Sequence, residues 1–268
     1  MIRRTTFDRP VSYYEALNPA DIPEKRAARF RNSKNRIRLF SRFVPLSAWC
    51  DIGTGEGIFL EALKLCGGSG VGIEPSEECR KKAIRHGVTI VGHTIEDITV
   101  VTEYEPVRVV SLFHVIEHLE HPEVELKRVY DALPSCGFLI VETPNIDSPV
   151  YRLRRYKDPL IYPEHLWYFS ETTVRALLEK VGFRVVASGK RDFDQYNLPI
   201  RESLFRLGFS KRNPSEALTK RGTVAAGVHV HEKASADDTW LRVLVRRGLS
   251  LLVVLAGRLQ YTWVVAQK

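Results

Sequence analysis

"CDIGTGEG", Cys50–Gly57, is the stretch that decides how this chain is read. It follows Ala48 and Trp49 and runs into "IFLEALKL", whose apolar residues fall at helical spacing. An apolar run that stops at glycines and resumes as a helix is a strand–turn–helix junction. Gly53, Gly55 and Gly57 fit the pattern D-x-G-x-G-x-G, which permits a tight turn and a close approach of a ligand to the backbone. The start of the helix adds amide donors that have no partner within the helix. Asp51 ends the strand ahead of the turn, and Glu74 ends the next apolar run, "GVGIEP". An acid at that second position is placed to accept hydrogen bonds from both hydroxyls of a ribose.

Two nucleoside cofactors suit this frame. A dinucleotide prefers G-x-G-x-x-G, because its pyrophosphate needs the amides of the helix start. Here the spacing is G-x-G-x-G, with Asp51 two residues before the first glycine. A carboxylate there repels a pyrophosphate and suits an ammonium. The turn therefore favours S-adenosylmethionine over a nicotinamide dinucleotide. A tight turn with no ligand is the third reading, and the combination of glycines with Glu74 argues against it.

Working outward, the pattern alternates. "PEKRAARFRNSKNRIRLFSRF" (23–43) has a helical and strongly basic pattern. "SEECRKKAIRHG" predicts a helix with Ser76 as N-cap and Gly87 as its stop. "VTIVG" and "VRVVSLF" predict strands, and "HPEVELKRVYDALPSCG" a helix running into a turn. "GFLIVETP" predicts a strand, "SETTVRALLEKVGF" a helix capped by Ser170, and "FRVVASG" a strand. Strands alternating with helices of this length indicate an α/β fold: a Rossmann-like, mostly parallel sheet with helices on both faces. The rhythm is lost after Lys190. The domain reading is an N-terminal helical segment (1–45), a cofactor-binding domain (46–190), an insertion or lid (191–257) and a closing strand of the same domain (258–268). Within the insertion, 240–257 has the pattern of an amphipathic helix carrying Arg242, Arg246 and Arg247.

The totals bound the rest. With 268 residues, 44% of them hydrophobic and 27% charged, the composition is that of an ordinary globular protein. The N-terminus has no apolar h-region, so no signal peptide is expected. The longest apolar run, "LSLLVVLAG", is far short of the roughly 20 residues that cross a bilayer. The four cysteines lack CxxC or Cys/His pairing, so the expectation is a reducing cytoplasm and no metal. The net charge of +8 suits nucleic acid, anionic lipid or a phosphorylated substrate without choosing among them. A peripheral membrane contact through 240–257 is compatible with the pattern.

Taken together the quoted stretches resemble the class I S-adenosylmethionine-dependent methyltransferases. "WCDIGTGEGIFLEAL" is similar to their first motif, "VGIEPSEE" to the next, and "GHTIED" to the adenine-binding segment. "VVSLFHVIEHLEHP" resembles the fourth-strand motif of the branch that includes ubiquinone-biosynthesis O-methyltransferases and sugar methyltransferases. The resemblance implies a seven-stranded sheet whose last strand is antiparallel, here with an insertion between strands six and seven. It also implies site residues. Asp51, Gly53, Thr54 and Gly55 would line the methionine part, and Glu74 with Pro75 the ribose. Thr94, Ile95 and Glu96 would border the adenine, and Phe113 and His114 would face the sulfonium side. His118 reads as a packing or helix-start residue.

On this layout "IYPEHLWYFS" (161–170) lies after the fifth strand, on the ligand side of the sheet. Tyr162, Glu164 and His165 are then the candidates for the methyl acceptor, with Trp167 and Tyr168 as walls that exclude water. The stretch resembles the Y-x-E-H-x-x-Y-F-S segment of sugar C-methyltransferases, but Pro163 stands where those often carry another His, and their zinc domain is absent. No N/D-P-P-Y/F sequence follows the fourth strand, which disfavours methylation of nucleobase amines, and no RNA-binding module is visible. The expected activity is methyl transfer to a hydroxyl, less readily a carbon, of a small molecule or sugar/glycan precursor, with His165 as general base. A quinone-precursor O-methyltransferase, a non-catalytic cofactor-binding or interaction module and a nicotinamide oxidoreductase are the alternatives.

Overall fold

The computed structural model describes residues 2–3, 23–148, 151, 165–191 and 260–268. A two-residue strand β1 (Ile2–Arg3) and helix α1 (Pro23–Phe40) precede an alternating series. It runs β2 (Trp49–Ile52), α2 (Ile58–Leu65), β3 (Gly70–Ile73), α3 (Glu77–Arg85), β4 (Ile90–Gly92), α4 (Ile98–Tyr104), β5 (Val109–Phe113), α5 (Pro122–Ala132) and β6 (Phe138–Pro144). Then come β7 (Trp167–Tyr168), α6 (Glu171–Val181), β8 (Arg184–Arg191) and β9 (Tyr261–Gln267). Seven strands form one sheet in the order β4-β3-β2-β5-β6-β9-β8, while β1 pairs with β7 in a separate ribbon. β2 pairs in parallel with β3 and β5, and β5 with β6, whereas β9 lies antiparallel between β6 and β8. This is the expected sheet, with its closing strand reversed.

The central strands are mostly apolar because both of their faces are covered. One face packs Leu112, Leu139, Val141 and Val264 with Ile116, Leu126 and Leu178. The other packs Val109, Ile140 and Val265 with Phe40, Phe59 and Leu63. Helix ends follow the local chemistry expected of them. Ser76 Oγ accepts from Cys79 N at 3.3 Å, and Gly87 and Gly182 adopt positive φ past α3 and α6. β8 extends beyond the expected "FRVVASG", because Lys190 and Arg191 continue the ladder opposite Thr262 and Tyr261. The insertion 191–257, with its amphipathic stretch 240–257, lies outside the described residues apart from Arg191.

Helix α1 belongs to the body of the fold. Phe40, fully buried, stacks on Phe113 at 5.9 Å and meets Trp263 edge-on at 5.8 Å. Emptying that site removes transfer energy and leaves a cavity. Phe40→Ala should lower unfolding stability by about 3–5 kcal/mol in urea titration. Val124→Ala, at a position 56% exposed, should change it by less than about 0.5 kcal/mol.

Candidate active site at the carboxyl edge of the sheet

The glycine turn after β2 is built as its spacing requires. Gly53, Gly55 and Gly57 have φ of +73°, +58° and +74°. They do different work. A Cβ on Gly53 would stand 2.5 Å from Val115 Cγ2, so that glycine is needed for packing. A Cβ on Gly55 would meet nothing within 4 Å, so the backbone there faces open space. Gly55 N donates to Glu74 Oε2 at 2.7 Å, and Ser76 N donates to Oε1 at 2.9 Å. The carboxylate thereby fixes the turn, and its remaining lone pairs can still accept hydroxyl protons. Burial pushes the Glu74 carboxyl up, and the two amides work against that rise.

Asp51 is buried on β2 beside Ser111, its register partner on β5. Ser111 Oγ donates to its Oδ1 at 2.5 Å. Burial raises the Asp51 carboxyl to about 6, against the hydrogen bonds from Ser111 and Thr54. Ser111 escaped the sequence reading because it lies inside an apolar strand. Thr54 is buried and Pro75 exposed, with the Pro75 carbonyl accepting from Arg80. Glu74 N donates to Gly92 O at 3.2 Å, which brings the segment after β4 alongside the acid. There Thr94 caps a short turn whose Asp97 carboxylate accepts from His93 N and Thr94 N. Ile95 is buried, and Glu96 reaches Arg128 at 3.4 Å.

The ends of β5 and β6 carry a chain of alternating charge. The Phe113 ring lies 4.8 Å from that of Phe59, and the Arg36 guanidinium sits over it at 4.6 Å. His114 follows with φ +59°, a left-handed conformation rare outside glycine, and its N donates to Glu142 O at 2.8 Å. Its ring stands 3.5 Å from Glu117 Oε1 on one side and 3.5 Å from Glu142 Oε1 on the other. Burial alone would lower the imidazole's affinity for a proton, but the two carboxylates outweigh it and raise the pKa. Glu142, fully buried, accepts from Arg36 Nη2 at 2.7 Å and Nε at 3.1 Å, with Arg191 at 3.8 Å. Burial opposes its charge, yet Arg36, His114 and Arg191 hold it far below the usual carboxylate range.

Glu117 is 1% exposed and accepts from Thr143 Oγ1 at 2.9 Å through Oε2. Its burial is outweighed by the neighbouring imidazoles, His114 before His118 and His165, which hold its carboxyl down at about 2. His165 is brought to it by the backbone. Leu166 N donates to Glu117 O at 2.8 Å, Trp167 Nε1 to Leu119 O at 2.8 Å, and Ile146 N to Phe169 O at 2.8 Å. The stretch from His165 is thus clamped between the turn after β5 and the end of β6. The His165 ring, 5% exposed, stands 4.9 Å from that of His118 and 6.2 Å from that of Tyr168. Ligand atoms of Glu117, His118 and His165 lie within 4.8 Å of one another, a spacing that can hold a metal ion. Sequence reasoning sought metal ligands among cysteines and passed over this trio. The signal available was H-x-x-E-H at 114–118. Tyr162 and Glu164 lie outside the described residues.

The family description "Methyltransferase domain" matches residues 24–188. The chain belongs to this family. No curated protein matches its sequence. Among solved structures, this methyltransferase is similar to an S-adenosylmethionine-dependent methyltransferase from Thermotoga maritima. The TM-score is 0.57 at 18% identity, over 96% of each chain. A second, from Archaeoglobus fulgidus, gives 0.57 at 19% identity over 96% of this chain and 100% of that one. The methyltransferase in complex with the Haloferax volcanii activator Trm112 gives 0.60 at 13% identity, over 98% and 99%. At such identities the likeness is one of fold. Among the described residues no helix is long and apolar enough to cross a membrane.

Among the described residues, removing Arg36 leaves the buried Glu142 carboxylate with His114 and Arg191 to balance it. Arg36→Ala should cost about 3 kcal/mol of unfolding stability near pH 7. Glu117 and Glu142 are both depressed in the folded state. The stability they carry is full above their ordinary value of 4.5 and is lost as pH falls toward their folded values. Denaturant midpoints between pH 7 and 3 should therefore fall less steeply for Arg36→Ala than for the parent chain.

Proposed function

We propose that this methyltransferase uses S-adenosylmethionine to methylate a hydroxyl of a small molecule or sugar/glycan precursor. The observation that carries the cofactor is the open space over Gly55, beside a Glu74 carboxylate already oriented by two amides. Structural neighbours described as S-adenosylmethionine-dependent support it. Glu74 would take the ribose hydroxyls, the buried Asp51 the ammonium of the methionine part, and Thr94–Glu96 the rim of the adenine. The bound cofactor supplies a methyl group on a sulfonium, already activated toward a nucleophile.

What remains for the chain is positioning and proton management. The acceptor's place is beside His165, buried at the neighbouring strand end and clamped by backbone hydrogen bonds. The uncharged imidazole is the form required there, and without a bound ion His165 takes the acceptor proton as general base. Tyr168 and Trp167 limit water around it.

Calorimetric titration with S-adenosylmethionine should show binding in the micromolar range, weakened at least tenfold by Glu74→Ala. Affinity should fall as pH is lowered through about 6, where Asp51 takes up a proton and loses its charge. His165→Ala should abolish methyl transfer to hydroxyl acceptors while cofactor affinity stays within about twofold. No binding by a folded protein would overturn the reading.

A further inference from the structure

We propose that Glu117, His118 and His165 bind one divalent transition-metal ion, with a position left open for the acceptor oxygen. The proposal rests on the reading that the acceptor meets the protein at His165, and it goes further by giving that imidazole a second partner. Three ligand atoms from two elements, the turn after β5 and the strand entry at 165, lie within 4.8 Å of one another. Around a tetrahedral ion, with bonds of about 2.0–2.2 Å, they would stand roughly 3.3–3.6 Å apart. The half-buried His118 can make that adjustment by a small side-chain rotation.

A second observation points the same way. Glu117 is 1% exposed, and its Oε1 accepts no hydrogen bond among the described residues. His114 approaches that oxygen only at 3.5 Å. The other oxygen, Oε2, is held by Thr143 Oγ1 at 2.9 Å. A buried carboxylate with one oxygen held by a hydroxyl, in a cluster where a carboxylate oxygen and two imidazole nitrogens lie within 4.8 Å of one another, has the form of a ligand with its outer partner in place. Two imidazoles and one carboxylate suit zinc and its neighbours in the first transition row better than magnesium, which prefers oxygen ligands. Three protein ligands with an open fourth position is the arrangement of catalytic rather than structural zinc. An acceptor hydroxyl in that position would become more acidic and lose its proton to water, with no change of oxidation state. With the ion bound, His165 is a ligand through one nitrogen in place of acting as the general base, and the neutral imidazole is still the form required.

The test uses tag-free full-length protein, stripped with a chelator and titrated calorimetrically with zinc chloride and with magnesium chloride. Each sample is also titrated with S-adenosylmethionine. One equivalent of zinc should bind at micromolar or lower concentration, and magnesium at least tenfold more weakly. His118→Gln should weaken zinc at least tenfold without changing cofactor affinity, and His86→Gln, exposed at the end of α3, should leave zinc binding unchanged. Glu117→Gln should act like His118→Gln, and circular dichroism confirms that it folds. Absence of zinc binding, or zinc binding indifferent to His118→Gln, overturns the proposal while cofactor binding leaves the methyltransferase reading in place. Loss of cofactor binding alone would strike that reading and not the metal.

Discussion

The ion pair between Arg36 and Glu142 holds the functional edge of this fold together. Glu142 is fully buried on β6, where a lone carboxylate would not stay ionised. Arg36 reaches it from α1, a helix that precedes the first strand of the alternating series. The pair fixes α1 against the sheet, and the same guanidinium covers the Phe113 ring. Breaking such a pair costs more than making it gains, because the remaining charge is left uncompensated. Its contribution is therefore one of geometry. It sets where β5 and β6 end relative to α1 and anchors His114 between Glu142 and Glu117. From there the alternation of charge continues to His118 and His165.

The two halves of the candidate site follow from one feature of parallel sheets. Strand ends and helix starts gather at the carboxyl edge, so residues far apart in sequence meet there. On the β2–β3 side the sheet offers an open glycine turn, an oriented Glu74 and a buried Asp51. On the β5–β6 side it offers a buried Glu117 and two imidazoles. The former suits a nucleoside with a cationic tail, and the latter suits an oxygen that must give up a proton. Methyl transfer to a hydroxyl, as proposed, would use these two environments side by side.

Much of this was legible in the sequence. The strand–turn–helix at Cys50–Gly57, the acid at Glu74 and the alternation of elements depend on local chemistry, and the fold follows them closely. What stayed hidden depends on contacts between distant segments. Ser111 looked like one more strand residue until β5 was seen beside Asp51. His118 reads from the sequence as a packing or helix-start residue, and only the tie from Leu166 N to Glu117 O brings His165 beside it. Arg36 was one cation among many on a basic helix, and nothing in its neighbours marked it as the partner of Glu142. Register between strands and the pairing of buried charges are set by tertiary packing, which spacing along one chain does not encode.

On the proposed function, the carboxyl ends of β2, β3 and β4 form the cofactor cradle. Amide hydrogen exchange of the protein with and without S-adenosylhomocysteine, read by mass spectrometry at peptide resolution, tests it directly. Slowed exchange confined to peptides covering 53–57, 74–76 and 93–97 is the predicted result. Protection elsewhere with those peptides unchanged would rule out that cradle.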